Sequence, residues 1–589
     1  MRLFRQTFIC SAIMAVPAWA GAHFLASRLT GAPGRVATVL LVSAGSAGIY
    51  FAAQAALRAP QMEWLTEALL HRWRRLAGHA TGARTGDWQR PRRRAPQLTG
   101  LARGAARARA ARPALRRWRL DAVLLLGIVA VGALAGIKIE YAVLATITIG
   151  LIGWVMARPA VAAYLLIFVT PLTVGLSAGS VVPLLRLNEA LIVLFGAAIG
   201  LRWLAGLRSG DIRRPHMDRV DIALVALGVT SSVLPLAMMA VRQRPISTDD
   251  LLYCLVLWKL LAEYVIVRSV VSTREQAMRC LVLSMAAAAI VGVIGIMQSL
   301  GLAGVPGLLA TYTSSPGADG MVSVARGSSL LGLPAATADL VILNLGIAVA
   351  MIVRGHPRRL WLAGLAVVYV LSVIAAAEFA TLIGLVVALI ALVAITRSGR
   401  IAVYVIPVAL FGGLLLWPVI QLRLSDFHST AGLPLSWIDR LYNLRTFFWP
   451  VLFSDYNWIL GVRPSARVAA PSVQGGFVWI ESGYTWLLWG GGIPLLASYI
   501  AFAAAVIRKG WAYGRRADAA GIAATAVTAA MCSQVVIMAF DPHLTFRGSG
   551  DALFLLLALI RRLSTRQTSP VSVSRPAAAA VAQPLGVLV

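Results

Sequence analysis

The sequence predicts an all-α protein: a polytopic integral membrane helical bundle of about 14–16 transmembrane helices with two large extracytoplasmic loops. Three observations lead there. Of 589 residues, 59% are hydrophobic and only 13% are charged, and the mean hydropathy is +0.79. Apolar segments of about 20 residues recur, each long enough to cross roughly 30 Å of hydrocarbon as a helix. Arginine collects at alternate links between them, as it does in cytoplasmic turns. Lipid offers no water to unpaired backbone groups, so helices or a closed barrel must form, and the alternating strands of a barrel are absent.

Residues 1–58 form an N-terminal hairpin or signal-like segment. The first apolar run, near 7–26, follows Arg2 and Arg5 and reads either as a span or as a signal peptide cleaved at the small residues of "PAWAGA". A second span covers about 36–57. Residues 59–120 form a basic cytoplasmic linker. Met62, Leu65, Leu69, Trp73 and Leu76 recur at helical spacing, which suits a helix lying on the anionic inner leaflet. From Arg72 to Arg119 there follow fifteen arginines against Asp87 alone, in a Gly-, Ala- and Pro-rich context without apolar periodicity. This block carries much of the net charge of +31. Its place between spans marks a cytoplasmic anchor and gives no reason to expect a nucleic-acid partner.

The membrane core is expected over 121–562. Its spans lie near 121–137, 141–157, 160–176, 188–206, 220–241, 251–267, 277–299, 336–353, 360–377, 380–396, 401–417, 484–507, 519–540 and 551–561. Basic links at Arg158, Arg202–Arg219, Arg268–Arg274, Arg354–Arg359, Arg397–Arg400, Arg508–Arg516 and Arg561–Arg566 fix the alternation. A Ser-, Pro- and Ala-rich tail, 563–589, then lies inside. The four cysteines, Cys10, Cys254, Cys280 and Cys532, each sit in an apolar segment and form neither a disulfide framework nor a metal site.

The same alternation places loops 301–335 and 421–483 outside. Loops of that length in a compact protein are functional or disordered. The second contains Trp437, Phe447, Phe448, Trp449, Phe453, Tyr456, Trp458, Phe477 and Trp479, which is not a disordered composition. Within it, "PLSWIDRLYNLRTFFW" reads as a helix along the membrane surface. Ser436 and Asp439 have the spacing of a capping box. Leu435, Ile438, Leu441 and Phe448 form an apolar stripe, with Arg440 and Asn443 on another face.

Several residues carry candidate chemistry. Arg440 and Arg445 either snorkel to lipid phosphates or grip a substrate phosphate. Arg326, in "VARGSSLLGLPAATADL", is an outward arginine against the local charge rule, and Asp339 is a carboxylate placed to partner it. Glu481, in "WIESGYTWLLWGGG", is either an acid stabilised by a helix N-terminus or a general base in an apolar pocket. Glu378, in "AAAEFATLIG", is a second carboxylate at the outer edge, and Tyr484 is a further accessory candidate. No nucleotide is at hand on that side, so an enzyme there needs an activated substrate such as a lipid pyrophosphate.

Four stretches in this order resemble the O-antigen ligase and polymerase family of bacterial membrane glycosyltransferases. They are "RPAVAAYLLIFVTPLTVGLSAGSVVPLLRLNEALIVLF", "ARGSSLLGLPAATADLVILNLGIAVAM", "LPLSWIDRLYNLRTFFWPVLFSDYNWILGVRP" and "ESGYTWLLWGGGIPLLASYI". Many members carry a histidine before the last loop-to-span junction; Glu481 and Ser482 stand there, as in members similar to exopolysaccharide polymerases. The resemblance implies a multi-pass protein of the bacterial inner membrane that polymerises or transfers polyprenyl-pyrophosphate-linked oligosaccharide. It implies a metal-independent, inverting reaction without cofactor, Glu481 as base, and Arg326 and Arg440, with Arg445 beside them, holding the pyrophosphate. The partners implied are the lipid-linked glycan and membrane lipids, with room for cytoplasmic or chain-length-regulating proteins. Two other classes stay open: a flippase of lipid-linked oligosaccharide, which would line an internal path with charge, and a scaffold working through the basic block. Lys259 and Glu263, on one span, are the close internal pair, read as a structural ion pair.

Overall fold

A computed structural model describes residues 139–177, 185–209, 217–312, 326–427, 434–471 and 476–564. The N-terminal segment, the basic linker, the span expected at 121–137 and the tail beyond 564 lie outside the described residues. The chain divides into two units. The first, Met1–Gly153, is described only from residue 139, where helix α1 (Ile139–Ala157) begins. The second, Trp154–Val589, holds everything below.

Its helices are α2 (Ala160–Thr173), α3 (Leu187–Ser209), α4 (Arg219–Val241), α5 (Thr248–Val270), α6 (Arg274–Ser299), α7 (Val305–Tyr312) and α8 (Pro334–Val353). There follow α9 (Arg359–Ala376), α10 (Phe379–Thr396), α11 (Arg400–Leu415) and α12 (Trp417–Leu424). The segment after α12 folds as α13 (Leu435–Asn443), a π turn (Leu444–Phe448), α14 (Trp449–Phe453), α15 (Asn457–Leu460) and an antiparallel hairpin of β1 (Arg467–Ala469) and β2 (Phe477–Trp479). The last helices among the described residues are α16 (Gly483–Tyr513), α17 (Ala519–Ile537) and α18 (Ser549–Leu557).

The chain is a multi-pass all-α membrane protein. Among the described residues, eight helices are long and apolar enough to cross a bilayer: α3 (over Leu187–Leu204), α4, α6, α8, α9, α10, α16 and α17. Their outer faces present large apolar side chains such as Val193, Ile222, Ile390 and Ile500, as hydrocarbon solvent requires. α8 is buried along nearly its whole length and packs on α9, α17 and α6. Local chemistry sets the helix starts. Asp218 with Asp221, Ser247 with Asp250 and Thr273 with Gln276 form capping boxes, and Pro334 opens α8 at a position that needs no N–H.

Two expectations change. The last apolar run yields only the nine-residue α18, after which the chain turns and Ser564 bonds back to Ser272 and Arg274. Pro434 caps α13, and no side-chain cap forms there, so the Ser436–Asp439 spacing is not a capping box. The reason is register: the helix starts two residues before Ser436 could cap it. The small β hairpin was not legible, because each strand is only three residues long.

The 434–480 segment is held to one end of the bundle by charge. Asp250, fully buried, accepts from Arg463 at 2.6 Å and from the Ser465 N–H at 3.2 Å. Asp249 pairs with Arg467, which also lies over the rings of Phe477 and Trp479. At the opposite end, Asp218 binds Lys509 at 2.7 Å and Arg268 at 3.3 Å, tying α16 to the α4–α5 pair.

Candidate functional site

Three chain breaks bring acids to one place. α9 and α10 are joined by two residues: Ala377, in the left-handed region at φ 50°, and Glu378. A tight reversal without a loop leaves Glu378 packed between helix ends, and it is buried. Glu481 precedes Ser482, whose hydroxyl caps α16 by accepting the Thr485 N–H at 3.3 Å. Gly483 is needed at that start: a Cβ there would lie 2.8 Å from the Met538 carbonyl. This close approach, with the Tyr484 N–H donating to Met538 O at 3.3 Å, sets Glu481 beside the link that follows α17. That link carries Asp541 and His543.

Arg440 stands at the centre. It projects from α13 on the side opposite Leu435, Ile438 and Leu441, which are exposed. Its Nη2 lies 2.8 Å from Asp541 Oδ2 and 3.4 Å from Glu378 Oε1, and its Nε lies 3.9 Å from Glu481 Oε1. Asn443, one turn on, donates to Glu481 Oε2 at 3.5 Å. Trp437 of α13 packs on Phe540 at 4.8 Å between centroids, fixing the helix against the same link.

One guanidinium cannot compensate three half-buried or buried carboxylates, so the group retains protons. Burial pushes the Asp541 carboxyl up to about 7, against the pull of Arg440. Burial likewise raises Glu481 above the ordinary carboxylate range, with Arg440 and Asn443 pulling the other way. Glu481 is the more open of the two: its side chain is 35% exposed against 12% for Asp541. An accessible carboxyl of raised basicity beside a fixed cation can take or give a proton.

Behind Asp541 lies a second pair. His543, fully buried, shares a 2.7 Å hydrogen bond with Asp339 Oδ2, and its N–H donates to the Asp541 carbonyl at 2.8 Å. Burial opposes the charged ring, but the Asp339 carboxylate outweighs it and raises His543 above the ordinary histidine value.

The sequence candidates thus separate. Glu481, Glu378 and Arg440 meet. Asp339 joins through His543. Arg326 is tied in by its neighbour, since the Gly327 N–H donates to the Ala375 carbonyl, three residues before Glu378. Arg445 is exposed on the π turn, away from the acids. Tyr484 turns toward α17, and its hydroxyl donates to Val535 O at 2.5 Å. Asp541 and His543 were missed. The signal was "FDPHLTFRGSGD", a polar interruption between two apolar runs with an acid and a histidine flanking a proline. No group of His, Cys, Asp and Glu suited to a metal ion occurs among the described residues. No protein-family model, no curated protein and no solved structure matches this chain.

Proposed function

We propose that the protein is a membrane glycosyltransferase that polymerises or transfers polyprenyl-pyrophosphate-linked oligosaccharide on the extracytoplasmic face. The observation that carries the reading is the meeting of Glu481, Arg440, Glu378 and Asp541 from four separate segments at one end of a membrane bundle. In this reading an acceptor hydroxyl attacks the anomeric carbon of the donor. The bond from that carbon to the phosphate oxygen breaks, and the polyprenyl pyrophosphate leaves. Glu481, the open carboxylate, takes the hydroxyl proton. Arg440 orients Glu481 and, with Arg326, meets the developing charge on the pyrophosphate.

A flippase of lipid-linked oligosaccharide is the second reading. Fully buried Glu263 and Asp551, with Lys259 beside Asp551, favour it, because charge inside a bundle marks internal pathways.

One experiment separates the two. Polyprenyl-linked glycans are measured by mass spectrometry in cells carrying wild type or Glu481→Gln at matched abundance, with external periodate reporting the leaflet. Single units on the outer leaflet with loss of polymer support the transferase. Accumulation on the inner leaflet supports the flippase. No accumulation removes Glu481 from the chemistry.

A further inference from the structure

The bundle holds a second group of charges that the proposed chemistry does not use. Lys259 and Glu263 lie one turn apart on α5, and Asp551 opens α18. Lys259 Nζ is 2.5 Å from Asp551 Oδ1, while Asp551 Oδ2 accepts the Gly548 N–H at 2.8 Å. Asp551, not Glu263, is therefore the partner of Lys259, and the pair read from the sequence is redrawn. Glu263 and Asp551 are both fully buried. No donor reaches either oxygen of Glu263, yet its carboxyl lies within hydrogen-bonding reach of Asp551.

Charge counting decides what such a contact requires. The Lys259 ammonium compensates Asp551. An ionised Glu263 would then be a lone buried charge touching a like charge, which an apolar interior does not sustain. A proton between the two carboxyls turns the repulsion into a hydrogen bond. The other ionisable groups that act on the site are Glu189 on α3 and Arg547 before α18, one of each sign. α2 and α3, which also pack on α5, supply the buried but uncharged Thr170 and Asn188.

We propose that Glu263 and Asp551 bind a proton between them, beside the Lys259 ammonium, as an intramembrane proton site. A cavity of about 20 Å³ lies against α18, with room for about one water. Asp339, Ser533, Gln534 and Ser549 are among its lining. The buried Gln534 Oε1 and Ser549 Oγ have no partner, and Ser549 stands two residues before Asp551. Asp339 holds His543, and Gln534 Nε2 donates to the His543 carbonyl at 3.2 Å. The cavity therefore lies between α18, which carries Asp551, and the Asp339–His543 pair. This inference is independent of the glycan reading, since the proton resides there whether the protein transfers sugars or carries them.

Infrared difference spectroscopy on the purified full chain in lipid tests it. At about pH 9, where Asp541, raised to about 7, has lost its proton, the C=O stretch of a protonated carboxylic acid is expected in wild type, absent from Glu263→Gln and retained in Glu481→Gln. Glu263→Gln is expected to melt at the wild-type temperature, because it replaces a neutral group by a neutral one. If Glu263→Gln does not fold, Asp541→Asn decides: its band persists from about pH 5 to about pH 9, past the range of a free carboxyl. In D2O the band shifts, and Gln534→Leu slows the shift. An unchanged band in Glu263→Gln, or loss of the Asp541→Asn band within that pH range, overturns the proposal. So does loss of the band on adding sodium at constant pH, which would make the occupant a metal cation.

Discussion

Asp541 makes the shortest of the three contacts to Arg440, yet burial raises its carboxyl against that cation. Its folded value, about 7, lies above its ordinary 3.8. Protonated Asp541 therefore supports the fold fully below about pH 4, and that support is lost as pH rises through about 7. Glu481 and His543 are also raised, so they act in the same direction. Stability is expected to fall between these limits, with a ceiling of about 4 kcal/mol from Asp541. Asp541→Asn is expected to flatten that slope, as read by thermal unfolding in detergent at a series of pH values. A variant as pH-dependent as wild type would place the buried proton elsewhere. Glu481 and Arg440 were legible in the sequence because each is a charged residue in an apolar or aromatic setting. Asp541 was not, because a ten-residue polar link between the expected spans reads as an ordinary turn until α16 packs against it.

At the scale of elements, the break in α16 shapes the site. Gly492 has φ 64° and ψ −156°, two residues before Pro494. A Cβ there would lie 2.3 Å from the Ile459 carbonyl. The Trp489 carbonyl accepts from the Val462 N–H at 2.7 Å, and Trp489 Nε1 donates to the Ser465 carbonyl at 3.0 Å. The "WGGG" run thus docks the segment that carries Arg440. Gly492→Ala is expected to cost at least about 1–3 kcal/mol in backbone strain, with added clash. Limited proteolysis should then cut within residues 434–471 faster than in wild type. Equal cleavage rates would show that the charge clamp of Asp250 and Arg463 suffices without the glycine break. The sequence showed the glycines but not their purpose, since a kink is a contact with another segment.

For the whole molecule, the expected orientation puts the 434–480 segment outside and the basic link after α16 inside. Tyr456 and Arg515 are both exposed, one at each site. Cys254 and Cys280 are buried but Cys532 is half-buried, so the labelling is done with the four native cysteines replaced by serine. A membrane-impermeant maleimide is expected to label Tyr456→Cys in intact cells and Arg515→Cys only after permeabilisation. The reverse pattern would invert the protein and remove the proposed chemistry from the outer face.

The sequence by itself determined that this is a helical membrane protein, where the eight spans found among the described residues lie, that Glu481 precedes a span and that Arg440 lies on a helix of the long loop before it. Those properties follow from composition and periodicity, which act along the chain. Only the tertiary structure decided that Arg440 is shared among three carboxylates, that His543 pairs with Asp339, and that Lys259 pairs with Asp551. Each of these joins residues far apart in sequence, and their energies depend on burial and on distances of a few ångströms. No local pattern encodes either quantity.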